Sequence, residues 1–332
     1  MGSIYAIMFD IITFGSATQD IIVKPKPVSL LKYDKVPAQS QVCFPMGSKI
    51  DIDTIEFNSG GGGTNVAATF ALQGFKTAFC GTIGTDISGK KIIDELKALK
   101  INTGLVRVTS EKLTNHSIVI SSPTQDKTVL AYRGAAELMD KKDIPWGKLK
   151  SKWLYLAPLS GLLCDNFEDL VRFAVDHKIR IAVNPGMAQL SLLHFTDIAK
   201  KIDILFLNQE EASFLTKIPL EQEKEIFTAI DQMCDGVVVM TKGGQGVTVS
   251  DGKQMYSALP PKDRNIIDTT GAGDSFASGF LSDFIRTGDI EKAIQLGMAN
   301  AVGCLSQVGA KNGLLKKGQE FERVEVKKEE IL

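Results

Sequence analysis

An α/β fold with a mostly parallel sheet is predicted for this 332-residue chain on three observations. Short β-branched runs alternate with amphipathic segments, the pattern of parallel strands covered by helices. Hydrophobic residues make up 44% and charged residues 23%, so the chain can bury a large core, and its length allows about two domains. Two stretches, 21–58 and 105–134, break the alternation and read as a separate small sheet over one edge of the main body.

In chain order, the strands are expected at Ile7–Phe14, Ala78–Ile83, Trp153–Ala157, Ile179–Val183, Ile204–Leu207, Val237–Thr241 and Gly246–Val249. Each is a short apolar run bounded by turn or polar residues. Helices are expected at Asn65–Gln73, stopped by Gly74, and at Gly89–Leu99, Asp165–His177 and Asp289–Ser306, with Asp289 as N-cap. Ser250-Asp-Gly252-Lys between Gly246–Val249 and Gln254–Tyr256 reads as a hairpin. Of the two irregular stretches, the first carries four prolines. The second reads as strands His116–Ser121 and Thr128–Tyr132 around a polar Ser122–Lys127 turn.

The 38 basic and 39 acidic residues nearly cancel, which argues against a nucleic-acid partner. Five scattered cysteines without a C-x-x-C pair point to a reducing, cytoplasmic setting rather than a disulfide framework or zinc. The apolar segment Ile4–Phe14 is interrupted by Asp10 and lacks a preceding basic residue, so it reads as a buried strand and not a signal peptide. Met1-Gly2 invites a myristoylation reading, but Ala6 stands where Ser or Thr is needed, and no apolar run approaches membrane-spanning length.

The most informative stretch is Asp268-Thr-Thr-Gly-Ala-Gly-Asp274. Gly271, Ala272 and Gly273 allow close backbone approach at the start of a helix, whose free N–H groups attract phosphate oxygens. Asp274 would face developing negative charge there, a poor choice for holding an anion and a good one for taking a proton from an attacking hydroxyl. A second glycine stretch, Gly60-Gly-Gly-Gly-Thr-Asn65-Val-Ala67, is followed by Gly74 and Gly84.

Together these stretches resemble both signatures of the ribokinase-like (PfkB) carbohydrate kinase family. Further matches fall in the family's order: Gly15-Ser-Ala-Thr-Gln-Asp20, Gly84-Thr-Asp-Ile-Ser-Gly89, Asn208-Gln-Glu-Glu211 and Thr241-Lys-Gly-Gly-Gln-Gly246. The resemblance runs from about Phe14 to about Gly313. It implies a single three-layer ribokinase-like domain over 1–332, with a β-sheet lid from about 21–58 and 105–134, and lids that pair in a homodimer. It also implies an ATP-dependent kinase acting on a hydroxyl of a sugar or sugar-like molecule, with Asp274 as general base and Gly271, Ala272 and Gly273 holding the transferring group.

The nucleotide residues implied are Asn208, Glu211, Thr241, Gly243, Gly246 and Asn300, with Glu211 ordering water around Mg²⁺. Those for the acceptor are Asp20, Gly61, Gly62, Gly63, Asn65 and Arg133. A monovalent cation such as K⁺ is implied at oxygens of Asp268, Thr270, Cys304, Gln307 and Gly309.

Two other nucleotide motifs fail. Gly84-Thr-Asp-Ile-Ser-Gly89-Lys90-Lys91 is one residue from a P-loop, but Lys91 takes the place of the hydroxyl that would meet Mg²⁺. A dinucleotide fold needs G-x-G-x-x-G after the first strand, where this chain has the single Gly15. An adenosine-type nucleoside kinase of the same family is the nearest alternative, and a catalytically silent sugar- or nucleotide-binding regulator is the other, against which the intact Asp274 argues.

Overall fold

The computed structural model describes residues 8–26, 29–32, 40–121 and 127–330. Nine strands form one sheet in the order Val326–Glu330, Gln254–Ala258, Val247–Ser250, Val237–Thr241, Ile204–Asn208, Arg180–Val183, Ser151–Leu156, Phe9–Phe14 and Thr77–Cys80. From Val237–Thr241 onward six strands run parallel, and the other three are added antiparallel. Alternate residues of the parallel strands feed two cores, as a sheet covered on both faces requires. Ile12, Phe14, Leu154, Leu156 and Leu205 pack with Phe167, Phe195 and Phe227 on one face. Ile11, Tyr155, Phe206 and Val239 pack with Phe70, Phe276, Phe280 and Ile294 on the other. The result is the expected three-layer α/β body.

The helix Ala272–Thr287 is anchored by Phe276, Phe280 and Phe284, four residues apart and stacked at 6.2 and 6.0 Å between centroids. It packs on Ile290–Leu305, which Asp289 caps as the sequence predicts, its carboxylate accepting the Lys292 amide at 3.1 Å. The Ser250–Lys253 turn closes its hairpin, with Gly252 at φ 79°.

Several boundaries differ from the sequence reading. The run Ala78–Ile83 splits at Gly81: Thr77–Cys80 joins the large sheet, while Thr82–Gly84 pairs with Arg107–Thr109. Asp165–His177 divides into Leu162–Asp165 and Phe167–Asp176. The helix expected from Asn65 begins at Gly62 and ends at Leu72. The first strand is described from Phe9, and the segment Met1–Ile7 lies outside the described residues.

A four-stranded sheet stands apart, in the order Lys127–Tyr132, Asn115–Ser121, Thr18–Pro25, Ile52–Gly60. It contains the expected hairpin, whose turn at 122–126 lies outside the described residues. It starts at Thr18 rather than near residue 21, so Asp20 is the third residue of a strand. Ser29–Lys32 and Ser40–Cys43 make a two-stranded ribbon of their own. All five cysteines are free, and among the described residues no helix is long and apolar enough to cross a membrane.

Candidate active site

The site gathers where the parallel strands end, at the carboxyl edge at which open α/β sheets take ligands. Gly271 caps the helix Ala272–Thr287 in the left-handed region, φ 78°, which turns the chain sharply into the first helical turn. Gly273 faces open space, since a Cβ there would meet no atom within 4 Å. One residue on, Asp274 accepts a hydrogen bond from Asn65 Nδ2 at 2.9 Å. Burial pushes the Asp274 carboxyl above the usual aspartate value, and the Asn65 bond opposes that rise.

Two adjoining cavities meet at this turn. The first, about 330 Å³, is an apolar slot lined by Ile266, Phe276, Met298, Ala301, Val302 and Leu305, with Thr241, Gly243, Gly246 and Arg264 at its polar side. The second, about 240 Å³, is polar and holds Asp274, Asn184, Asn208 and Glu211. Thr241, Thr269, Ala272 and Gly273 line both. Asn208 and Glu211 form a capping box at the helix Gln209–Thr216: the Asn208 amide donates to Glu211 Oε2 at 2.9 Å, and the Glu211 amide to Asn208 Oδ1 at 2.8 Å. Burial raises the Glu211 carboxyl, the Asn208 amide lowering it in part.

The small-sheet strand Ile52–Gly60 runs directly into the helix Gly62–Leu72, whose Asn65 holds Asp274. Asp20, Asn58 and Ser117 stand side by side across three strands. Asp20 is 7% exposed, and burial raises its carboxyl to about 6 against the pull of Ser117 and Lys311. Gly60 is fixed by this contact, because a Cβ there would lie 2.0 Å from Asp20 Oδ2. Asn58 Nδ2 and Asn65 Oδ1 are buried with no partner among the described residues, so both have capacity for a polar ligand.

The sequence matches the profile of the pfkB family carbohydrate kinases over residues 28–317. This chain belongs to that family. A cytidine kinase of Thermococcus kodakarensis is 27% identical over 271 residues, 78% of this chain and 95% of that protein. A ribokinase of Haemophilus influenzae is 26% identical over 275 residues, 80% and 87% of the two chains. The fold is shared with Arabidopsis thaliana ribokinase, solved with ribose and ATP, at a TM-score of 0.77 and 22% identity over 93% of this chain and 96% of that one. The chain is therefore a carbohydrate or nucleoside kinase, a phosphotransferase with an alcohol acceptor.

Within this pfkB kinase the structure brings most of the expected residues to one cleft and moves others away. Asn300 is fully buried and does not line the slot. Its amide donates to Thr69 and to the Ser275 carbonyl, and its oxygen accepts the Leu315 amide. Arg133 is exposed at the end of the outer strand and lines neither cavity. Of the three acceptor glycines, Gly62 faces Asp274, whereas Gly61 packs on Ser16 and Gly63 on Gly15 and Phe79. The stretch Gly84–Lys91 starts the helix Ile87–Ala98, where Asp86 accepts the Gly89 amide at 2.8 Å and leaves no cradle for phosphate. Asn184 and Arg264 escaped the sequence reading; Asn184 follows a parallel strand directly, the position that marks it.

Proposed function

We propose that this kinase transfers the terminal phosphoryl group of ATP to a hydroxyl of a sugar, with Asp274 as the base. The observation that carries the reading is the position of Asp274, held by Asn65 in the polar cavity that shares the helix N-terminal turn with the apolar slot. Asp274 takes the acceptor's proton as that oxygen bonds to phosphorus, and the phosphorus–oxygen bond to the nucleotide breaks, the diphosphate leaving with the electron pair. A carboxyl raised by burial holds a proton better than an exposed one. The slot suits a flat base, and the 271–273 turn suits the phosphoryl group. Glu211, Asn208 and Asn184 would hold Mg²⁺ through water, which offsets phosphate charge.

The small sheet serves as the lid. Its inner face offers Asp20, Asn58 and Ser117, all hydroxyl partners, while its aromatics Phe57 and Tyr132 lie on the opposite face, 57% and 47% exposed. That distribution favours a sugar over a nucleoside, whose base needs a stacking surface. The nucleoside reading rests on the cytidine kinase relative. The outer face, with Ile55, Phe57, Ile118 and Leu130 exposed, fits a second copy of this chain; light scattering should report a dimer that Phe57→Glu dissociates, and a wild-type monomer would refute the pairing.

The test is ADP release with Mg·ATP over a panel of sugars and nucleosides. A sugar should stimulate release; stimulation by nucleosides alone would refute the sugar reading, and release by neither, with ligand-induced stabilisation, would mark a silent binder.

A further inference from the structure

Asp268 opens the cradle loop and is 3% exposed. One carboxylate oxygen accepts the Thr270 amide at 2.8 Å, the Thr270 hydroxyl at 2.7 Å and the Lys127 ammonium; the other accepts the Gly309 amide at 2.9 Å. Lys127 comes from the small sheet, where it begins the outer strand, and its Nζ also lies 3.4 Å from Thr270 Oγ1. The pair thus ties the sheet over the acceptor to the loop that precedes the phosphoryl site.

The other oxygens expected to hold a free monovalent cation are carbonyls that accept protein hydrogen bonds and keep a second lone pair. The Thr270 carbonyl accepts the Cys304 thiol at 3.5 Å, the Cys304 carbonyl the Gln307 amide at 3.2 Å and the Gly309 carbonyl the Asn312 amide at 3.4 Å, and Gln307 is exposed. The Lys127 ammonium occupies the Asp268 oxygen that a K⁺ ion would need, so the ion does not fit there while Lys127 is in place.

We propose that the Lys127 ammonium is a built-in monovalent cation, a positioning group that neutralises Asp268 and orders the 268–273 loop without K⁺. An ammonium carries the same charge as K⁺ and supplies three donors to the same oxygens. Because Lys127 sits on the small sheet, the loop is fully ordered when that sheet is closed. This rests on the reading of 271–273 as the phosphoryl cradle, but its thermal test does not.

The experiment compares thermal unfolding of the full chain in KCl and in choline chloride at equal ionic strength, without nucleotide or acceptor. Wild type should melt at the same temperature in both salts. Lys127→Met should melt lower in choline chloride and recover in KCl, whereas Lys127→Arg, which keeps the charge, should stay indifferent to K⁺. In turnover, Lys127→Met should lose on the order of tenfold or more in choline chloride, as expected when one partner of a buried charge pair is removed, and regain it with KCl. A wild type stabilised by K⁺, a Lys127→Met variant equal to wild type in choline chloride, or a defect that KCl fails to repair would each overturn the proposal. If Lys127→Met fails to fold in either salt, a K⁺-dependent Lys127→Arg would overturn it alone.

Discussion

Asp20→Asn separates the cost of the acceptor site from its use. An aspartate held at about 6 in the folded chain, against an ordinary 3.8, binds its proton more tightly folded than unfolded. At about 1.4 kcal/mol per pH unit, ionising it destabilises the ligand-free fold by about 3 kcal/mol. Near pH 4 and below, Asp20 is protonated in the folded chain and the penalty is small; it grows as the pH rises to about 6 and is level beyond about 7. Asn carries no charge at any pH, so the variant should match wild type near pH 4 and exceed it by up to about 3 kcal/mol at neutral pH. Denaturant unfolding across that range measures the gap. Acceptor hydroxyls donate best to the ionised carboxylate, so the wild-type acceptor KM should fall over the same interval. At neutral pH the variant should lose roughly ten- to a hundredfold in acceptor kcat/KM, the equivalent of about 1.5–3 kcal/mol for a hydrogen bond to a charged group. A stability gap independent of pH would refute the burial penalty on Asp20; an unchanged acceptor kcat/KM would remove it from the acceptor site.

Gly273→Val should fold and melt like wild type, because a side chain there enters open space, yet raise the ATP Kd at least ~tenfold by filling the phosphate cradle; calorimetric titration with unchanged affinity would place the phosphates elsewhere. Glu211→Gln keeps a side-chain acceptor for the Asn208 amide and loses the charge, so the Mg²⁺ requirement should rise on the order of tenfold with the acceptor KM near wild type. Parallel Mg²⁺ and acceptor titrations check this, and an unaltered Mg²⁺ profile would confine Glu211 to helix capping.

Parallel strands such as Val237–Thr241 were legible because buried strands read as continuous apolar runs. Val326–Glu330 was not, since an edge strand tolerates a Lys-Lys-Glu-Glu face with no apolar alternation. Thr18–Pro25 and Ile52–Gly60 were hidden by proline and mixed polarity in a sheet that stands away from the core. At the site, the glycine turn followed by Asp274 carried its own chemistry in local order. Asn208 and Glu211 were seen as ligands while their N-x-x-E spacing also spelled a capping box, and with it the helix Gln209–Thr216. Asn300 misled because its partners, Thr69 and Leu315, are distant in sequence, and the Lys127–Asp268 pair spans 141 positions with no local trace.

The central claim is that Asp274 accepts the proton of the attacked hydroxyl, and single-turnover phosphoryl transfer by Asp274→Asn tests it most directly. Asn preserves the shape and keeps an oxygen for the Asn65 amide, so the fold and ATP affinity should stay within about twofold of wild type. The transfer step should slow by ~10²–10⁴-fold, the range for removing a general base. A variant that binds ATP and acceptor normally and transfers phosphoryl within tenfold of the wild-type rate, roughly 1.4 kcal/mol in the barrier, would contradict the account.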